Sequence, residues 1–148
     1  MLARRYSRPE PTLSSPPDAR NTISERDAQS LADLLGRLVL THRIDTAAVA
    51  SALHVSAGDV VALTDGRPVP LGTSARLSLV VNIILRLEIR LAGDSRAIRA
   101  ALATPLASLG GASPADLMTG SLDQLRRVRG AIDHVAHLEE RWWRVGHN

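Results

Sequence analysis

The chain has 148 residues, a hydrophobic share of 45% and a formal charge of +3, enough for one domain with a short appendage. It contains no cysteine, which excludes disulfides and thiolate metal ligands, and all 18 of its basic residues are arginine. With no phenylalanine, the core must be built from leucine, valine, isoleucine and alanine, a composition that favours packed helices.

Residues 1–21 are predicted to be a disordered basic tail, because they hold four of the eight prolines and little apolar surface. Their four arginines and two acids account for +2 of the +3, so the rest is nearly neutral and the charge is weak support for nucleic-acid binding. No apolar run follows the first basic residues as in a secretory signal, so we expect a cytoplasmic protein.

Residues 22–72 are predicted to form a helical region that resembles a helix-turn-helix. A first helix, capped near Ser24, is expected to end near Thr41 and carries one apolar face: Leu31, Leu34, Leu35, Leu38 and Val39. Asp45 and Ser56 are the expected N-caps of two short helices that are separated by a tight turn. This arrangement fits a DNA-binding helix-turn-helix, and an ordinary αα-corner is the alternative.

The second of these short helices is poorly equipped to read bases. The side chains expected on its outer face are Ala57, Gly58, Asp59 and Ala62, whereas base readout favours arginine, asparagine or glutamine. Contacts with DNA, if made, are therefore expected at the phosphate backbone. The candidate DNA-binding residues are Arg43, Ser56, Arg67 and Arg76.

The region 73–148 opens with a long apolar segment, Thr73–Leu91. Part of it alternates like a strand, but a helix explains the polar residues that recur every four positions: Ser74, Ser78, Asn82, Arg86 and Arg90. A helix that is apolar over most of its circumference must be buried on several sides. Because so small a domain has little core to surround it, we expect part of this face in a homodimer interface. Three charges near its end argue against a membrane span.

The next stretch, GDSRAIRAALATPLASLGGASPADLMTG (93–120), predicts two short helices around a glycine turn. Asp94 is an expected N-cap, and Pro105 stops the first helix. Gly110 and Gly111 permit positive φ in the turn. The second helix begins with Ser113 as N-cap and Pro114 at the first helical position, and Gly120 ends it.

The last predicted helix begins with Ser121 and Gln124 in a capping box and has an apolar face: Leu125, Val128, Ile132, Val135 and Leu138. It leads into EERWWRVGHN, where two of the three aromatic residues of the chain are adjacent. Neighbouring helical residues point about 100° apart, so both indoles cannot easily share one face. Exposed tryptophan and arginine are typical of protein interfaces, so this tail is predicted to bind a partner.

The order of these elements resembles the Xre/MbcA/ParS-type antitoxins over about 70% of the chain, from Leu31 to His137. The residues that carry the match are Gly111, Ser113, Pro114, Leu117 and Gly120. One departure is Ala101, which stands before Leu102 where the family often has tryptophan.

The resemblance implies an all-α bundle, with an Xre-like helix-turn-helix part and a C-terminal antitoxin module. It implies a non-enzymatic inhibitor of a RES-domain toxin, a protein with an ADP-ribosyltransferase-like fold that consumes NAD. The inhibitor is expected to cover the toxin's cleft with its C-terminal region, to form a homodimer and to repress its own operon. The expected toxin-binding residues are Arg141, Trp142, Trp143 and Arg144.

The sequence gives less support to other functions. A DNA-binding regulator without a toxin is the main alternative, and a scaffolding dimer built on the long apolar helix is a third. No nucleophile elbow, phosphate loop or acid–base pair of carboxylates stands out, so we expect no enzyme, no catalytic residues and no cofactor. His134 and His137 have a spacing that suits a metal, but in a charged stretch they are expected to be surface residues.

Overall fold

A computed structural model describes residues 25–67 and 75–134. These residues form seven α-helices and one 3₁₀ helix without any strand, so the predicted all-α bundle is confirmed. The helices are α1 (Glu25–His42), α2 (Thr46–Leu53), α3 (Ala57–Thr64), α4 (Ala75–Arg90), α5 (Ser95–Ala103), the 3₁₀ helix (Ala107–Leu109), α6 (Pro114–Met118) and α7 (Leu122–His134). The predicted N-terminal tail and the cap at Ser24 lie outside the described residues.

Short polar side chains begin the helices where the sequence places them. Four N-caps accept a hydrogen bond from a backbone N–H in the first turn of their helix: Asp45, Ser56, Asp94 and Ser113. Ser121 and Gln124 form the predicted capping box of α7, since each side chain accepts from the other's backbone N–H. Such bonds satisfy N–H groups that a helix leaves unpaired at its start, which is why local sequence sets these boundaries.

Helix α4 is the centre of the bundle and packs against α1, α2, α5 and α7. Its buried side chains cover most of its circumference: Leu77, Leu79, Val80, Val81, Ile83, Ile84 and Leu87. The strand alternative for this segment is therefore wrong. The assumption that so small a domain cannot surround the helix is also wrong, because four helices of the same chain do so. The homodimer stays a prediction, and Ile89 is the large apolar residue of α4 that is exposed.

Two arginines of the predicted polar stripe of α4, Arg86 and Arg90, bond to α7. The Arg86 guanidinium donates to both carboxylate oxygens of Asp133 at 2.6 Å and to Oδ1 of Asn82 at 2.6 Å. Arg90 donates to the main-chain carbonyl of Asp133 at 2.9 Å. These bonds attach the end of α7 to α4, while Leu125, Val128 and Ile132 are buried on the apolar face of α7 as predicted.

Helix α1 approaches α3 closely at Gly36. A Cβ added there would lie 2.6 Å from the carbonyl oxygen of Leu63 and 3.1 Å from its carbon. These are backbone atoms of a packed helix, so moving them aside would cost stability. Gly36 therefore permits the contact that seats the third helix of the predicted helix-turn-helix on α1.

We predict that Gly36→Ala destabilises the fold by about 1–3 kcal/mol, because the methyl group forces α1 and α3 apart. The matched control is Gly130→Ala in α7, where an added Cβ meets nothing within 4 Å. That change is expected to stabilise by about 0.5–1 kcal/mol, since alanine is the better helix former. Urea unfolding followed by circular dichroism measures both. Equal effects of the two substitutions would contradict the close contact.

Candidate functional site

The first candidate surface is the helix pair α2 and α3, whose axes differ in direction by 111°. His54 makes the turn between them in the left-handed conformation, with a φ of 60°, and Ser56 begins α3 with a capping box. The Ser56 hydroxyl accepts from Asp59 N–H at 3.1 Å, and the Asp59 carboxylate accepts from Ser56 N–H at 3.4 Å. The angle and the short turn fit the predicted helix-turn-helix.

The outer face of α3 is small and nearly uncharged. Ala57 and Gly58 are exposed as expected, whereas Asp59 and Ala62 are half-buried. Val61 is 44% exposed and is the large apolar side chain of this face. Because no arginine, asparagine or glutamine lies on α3, its own side chains offer little for base readout.

Two of the predicted DNA-contacting arginines, Arg43 and Arg67, are exposed at the ends of this region. Arg67 lies 3.2 Å from the Asp65 carboxylate in a solvent-exposed ion pair. Exposed pairs of this kind are weak, so Arg67 remains free to exchange its partner. Arg43 follows the end of α1 in the left-handed conformation, with a φ of 52°. The Ser56 hydroxyl accepts the cap bond from Asp59 N–H, which leaves its own O–H as a donor for a phosphate.

Arg76, the fourth predicted DNA-contacting residue, has a structural role. Its guanidinium donates to the carbonyl oxygens of Ala52 at 2.6 Å, Met118 at 2.9 Å and also Gly120. Burial lowers the pKa of the Arg76 guanidinium from its ordinary value, but arginine stays charged at neutral pH. Since three carbonyls hold its Nε and Nη2 groups, turning this side chain toward a phosphate would break those bonds.

The carbonyls at the C-terminal end of α6, those of residues 118–120, form a junction between the two halves of the described chain. His54 Nε2 donates to the Thr119 carbonyl at 2.8 Å, beside the Arg76 bonds to Met118 and Gly120. We call this contact, made of Arg76, His54 and the carbonyls of 118–120, the carbonyl junction. It holds the turn between α2 and α3 against the end of α6.

The motif residues that carry the family resemblance lie on the 3₁₀–α6 segment. Gly110 and Gly111 have φ values of 70° and 87°, so both are left-handed as predicted. Ser113 is buried and caps α6, and Pro114 is buried at the first helical turn. Leu117 packs partly buried against the core, and Gly120 supplies a carbonyl to the carbonyl junction.

A second candidate surface is an apolar groove of about 300 Å³ between α2, α4, α5 and α6, which we call the α2–α6 groove. Its apolar lining includes Ala48, Val49, Ile84, Leu102, Ala115 and Met118. Three charged residues, Arg43, Asp45 and Arg99, also line it. An apolar cleft with a few charged groups is the usual form of a binding site, and sequence reasoning did not find it.

A relay of three polar side chains, of which His42 is buried and Glu88 and Ser95 are half-buried, was also missed. His42, which is 2% exposed, donates from Nε2 to the Glu88 carboxylate at 2.5 Å, and its Nδ1 lies 2.7 Å from Ser95 Oγ. Serine, imidazole and carboxylate form the relay of many hydrolases. Here they join the C-terminus of α1 to α4 and to the start of α5, and Ser95 is not among the residues that line the α2–α6 groove.

The predicted toxin-binding residues, Arg141, Trp142, Trp143 and Arg144, lie outside the described residues, as does His137. Within residues 25–67 and 75–134, no group of three or more histidine or acidic side chains is arranged to hold a metal. In the same ranges no single helix is long and apolar enough to span a membrane, although the bent pair α2 and α3 passes that test when the two are joined.

Comparison with known proteins gives no relative: no family model, curated protein or solved structure matches this chain.

We predict that Arg76→Lys destabilises the fold by about 2 kcal/mol or more, because an ammonium group cannot reach three carbonyls that a planar guanidinium bridges. The matched control, Arg67→Lys, alters an exposed pair and is expected to change stability by less than about 0.5 kcal/mol. The midpoint of urea unfolding measures both. If Arg76→Lys were as mild as the control, the carbonyl junction would not be a stabilising contact.

Proposed function

We propose that this chain is a non-enzymatic antitoxin of the Xre/MbcA/ParS type, which binds and neutralises a RES-domain toxin in the cytoplasm. The observation that carries the proposal is the 3₁₀–α6 segment, where Gly111, Ser113, Pro114 and Gly120 each have a geometric role. A motif whose residues have such roles is better support for the resemblance than matching letters alone.

The toxin is bound by the C-terminal region, where Arg141 and Arg144 pair with carboxylates and Trp142 and Trp143 fill the adenine or nicotinamide slot of the cleft. The anchoring of α7 supports this role. The helix is capped at Ser121 and attached to α4 through Asp133, so the segment beyond it extends from a fixed helix. The chain acts as a homodimer and also represses its own operon.

Deleting residues 141–148, or making the double change Trp142→Ala and Trp143→Ala, is expected to abolish neutralisation and leave the helical bundle folded. The assay expresses the toxin from the adjacent reading frame, with or without this chain, and follows growth and cellular NAD. NAD should fall with the toxin alone, recover with the intact chain and stay low with either variant.

The matched control is Arg126→Ala with Arg127→Ala, which removes two exposed arginines from α7 within the described part of the chain. It should neutralise as well as the intact chain. Neutralisation by the truncated chain would refute the role of the tail, and a neighbour that leaves NAD unchanged would refute the toxin pairing.

A DNA-binding regulator that acts without a toxin is the second candidate, and the 111° angle between α2 and α3 favours it. With α3 nearly uncharged, binding rests on phosphate contacts from Arg43, Arg67 and the basic residues 1–21. Such contacts give affinity but little sequence selectivity.

We predict a mobility shift on the DNA upstream of the gene at low salt. Arg43→Ala with Arg67→Ala should lower the slope of log affinity against log salt by about 2, since each phosphate contact contributes about 0.9. Arg96→Ala, an exposed arginine on α5, is the control and should leave the slope unchanged. No shift even at low salt would reject DNA binding.

A further inference from the structure

The α2–α6 groove has a chemistry that the C-terminal segment of the chain matches. The groove is lined mainly by aliphatic side chains, and neither of its arginines, Arg43 and Arg99, is buried. Both tryptophans of the chain lie at 142 and 143, and Arg141 alone separates them from Glu139 and Glu140. The segment thus offers an aromatic side chain for an apolar cleft and carboxylates for its arginines.

We propose that the α2–α6 groove is the docking site of the chain's own residues 139–145, with one indole between the aliphatic walls. The proposal concerns the chain without its partner and does not depend on the partner being a toxin.

The size of the groove suits this occupant. Its volume is about 300 Å³, and the side chains at its rim are small: Ala48 and Ala115 are half-buried and Ala103 is exposed. Small side chains at a rim let a planar ring approach the floor formed by Val49 and Ile84. Burying one indole removes roughly 150–250 Å² from water, which makes it the most favourable single side chain the segment could insert.

The charges also match. Arg43 is exposed, and Arg99 is exposed although one of its N–H groups donates to the His42 carbonyl at 2.7 Å. A guanidinium has five N–H donors, so Arg99 keeps donors for a carboxylate. Glu139 and Glu140 can therefore pair with Arg43 and Arg99. Asp45 can pair with Arg141 or Arg144. Each such pair is modest, so the indole provides most of the affinity.

The length of the segment permits the docking. Helix α7 runs from the end of α6 to His134, and its 13 residues span about 20 Å. Eight further residues reach Trp142, and eight extended residues span up to about 26–29 Å. The chain can thus return along α7 to α6, whose Ala115 and Met118 line the groove.

Only one of the two indoles is expected to enter, since adjacent helical side chains point about 100° apart. The other indole stays outside the groove. Because the proposed toxin site takes both indoles, the docked ring has to leave the groove before that partner binds, so docking competes with partner binding.

The test uses the intrinsic fluorescence of the full-length chain, because its two tryptophans both lie in the proposed docking segment. Compared with a synthetic peptide of residues 135–148, the chain should show blue-shifted emission. Quenching by acrylamide should be roughly twofold weaker or more, since a docked indole is largely shielded from solvent. Emission that matches the peptide would overturn the proposal.

Ala48→Gln places a longer side chain at the groove and should shift the emission to that of the peptide while the helical circular dichroism is kept. Ala47→Gln changes the neighbouring exposed residue of α2, which does not line the groove, and should leave the emission unchanged. If Ala48→Gln loses helical signal, Ala103→Gln at the exposed end of α5 replaces it.

Two further results would overturn docking within one chain. A blue shift retained in both groove variants would mean that the indoles are buried elsewhere. A blue shift lost on dilution would mean that the segment occupies the groove of a second copy. Because no toxin is present, either failure is distinct from a failure of the neutralisation assay.

Discussion

The bundle depends on one constraint, the burial of α4 on almost every side. Its aliphatic residues require neighbours around the whole circumference, and α1, α2, α5 and α7 meet that requirement. Its charged residues then reach the ends of those neighbours: Arg76 bonds to α2 and to the carbonyls after α6, Glu88 to His42 of α1, and Arg90 to Asp133 of α7. Helix C-termini carry unpaired carbonyls, and an unsatisfied buried carbonyl costs about 1–3 kcal/mol. The apolar surface of α4 favours packing against these helices, and its charged side chains then fix where the ends of the helices lie.

Both candidate surfaces follow from that arrangement. The carbonyl junction holds the turn between α2 and α3 beside the end of α6, so the two halves of the described chain pack as one unit. The α2–α6 groove exists because alanines line much of the space between the helices that α4 supports: Ala48, Ala52, Ala103 and Ala115. Larger side chains at these positions would close the gap, since packed interiors leave few cavities wider than a water molecule.

Local signals predicted the helices well, because a cap acts within three residues of its own position. Asp45, Ser56, Asp94, Ser113 and Ser121 all begin helices as expected. Contacts between distant residues were not predictable from one sequence. Glu88 and Arg76 were treated as exceptions in an apolar helix, yet they bond to residues up to 46 positions away. For the same reason, part of the apolar surface of α4 was expected to contact a second copy, whereas α5 and α7 cover much of it. The α2–α6 groove also depends on contacts between distant residues and was not predicted.

The described residues of α3 offer little attraction for DNA. DNA affinity grows with the number of phosphates neutralised, and α3 contributes no cation while Asp59 lies at its N-terminus. A helix-turn-helix so poor in charge needs the basic N-terminal residues, or a second copy that doubles the contacts, to hold a duplex. The docking proposed for the α2–α6 groove does not depend on cations of α3, because it rests on aliphatic walls and on Arg43 and Arg99.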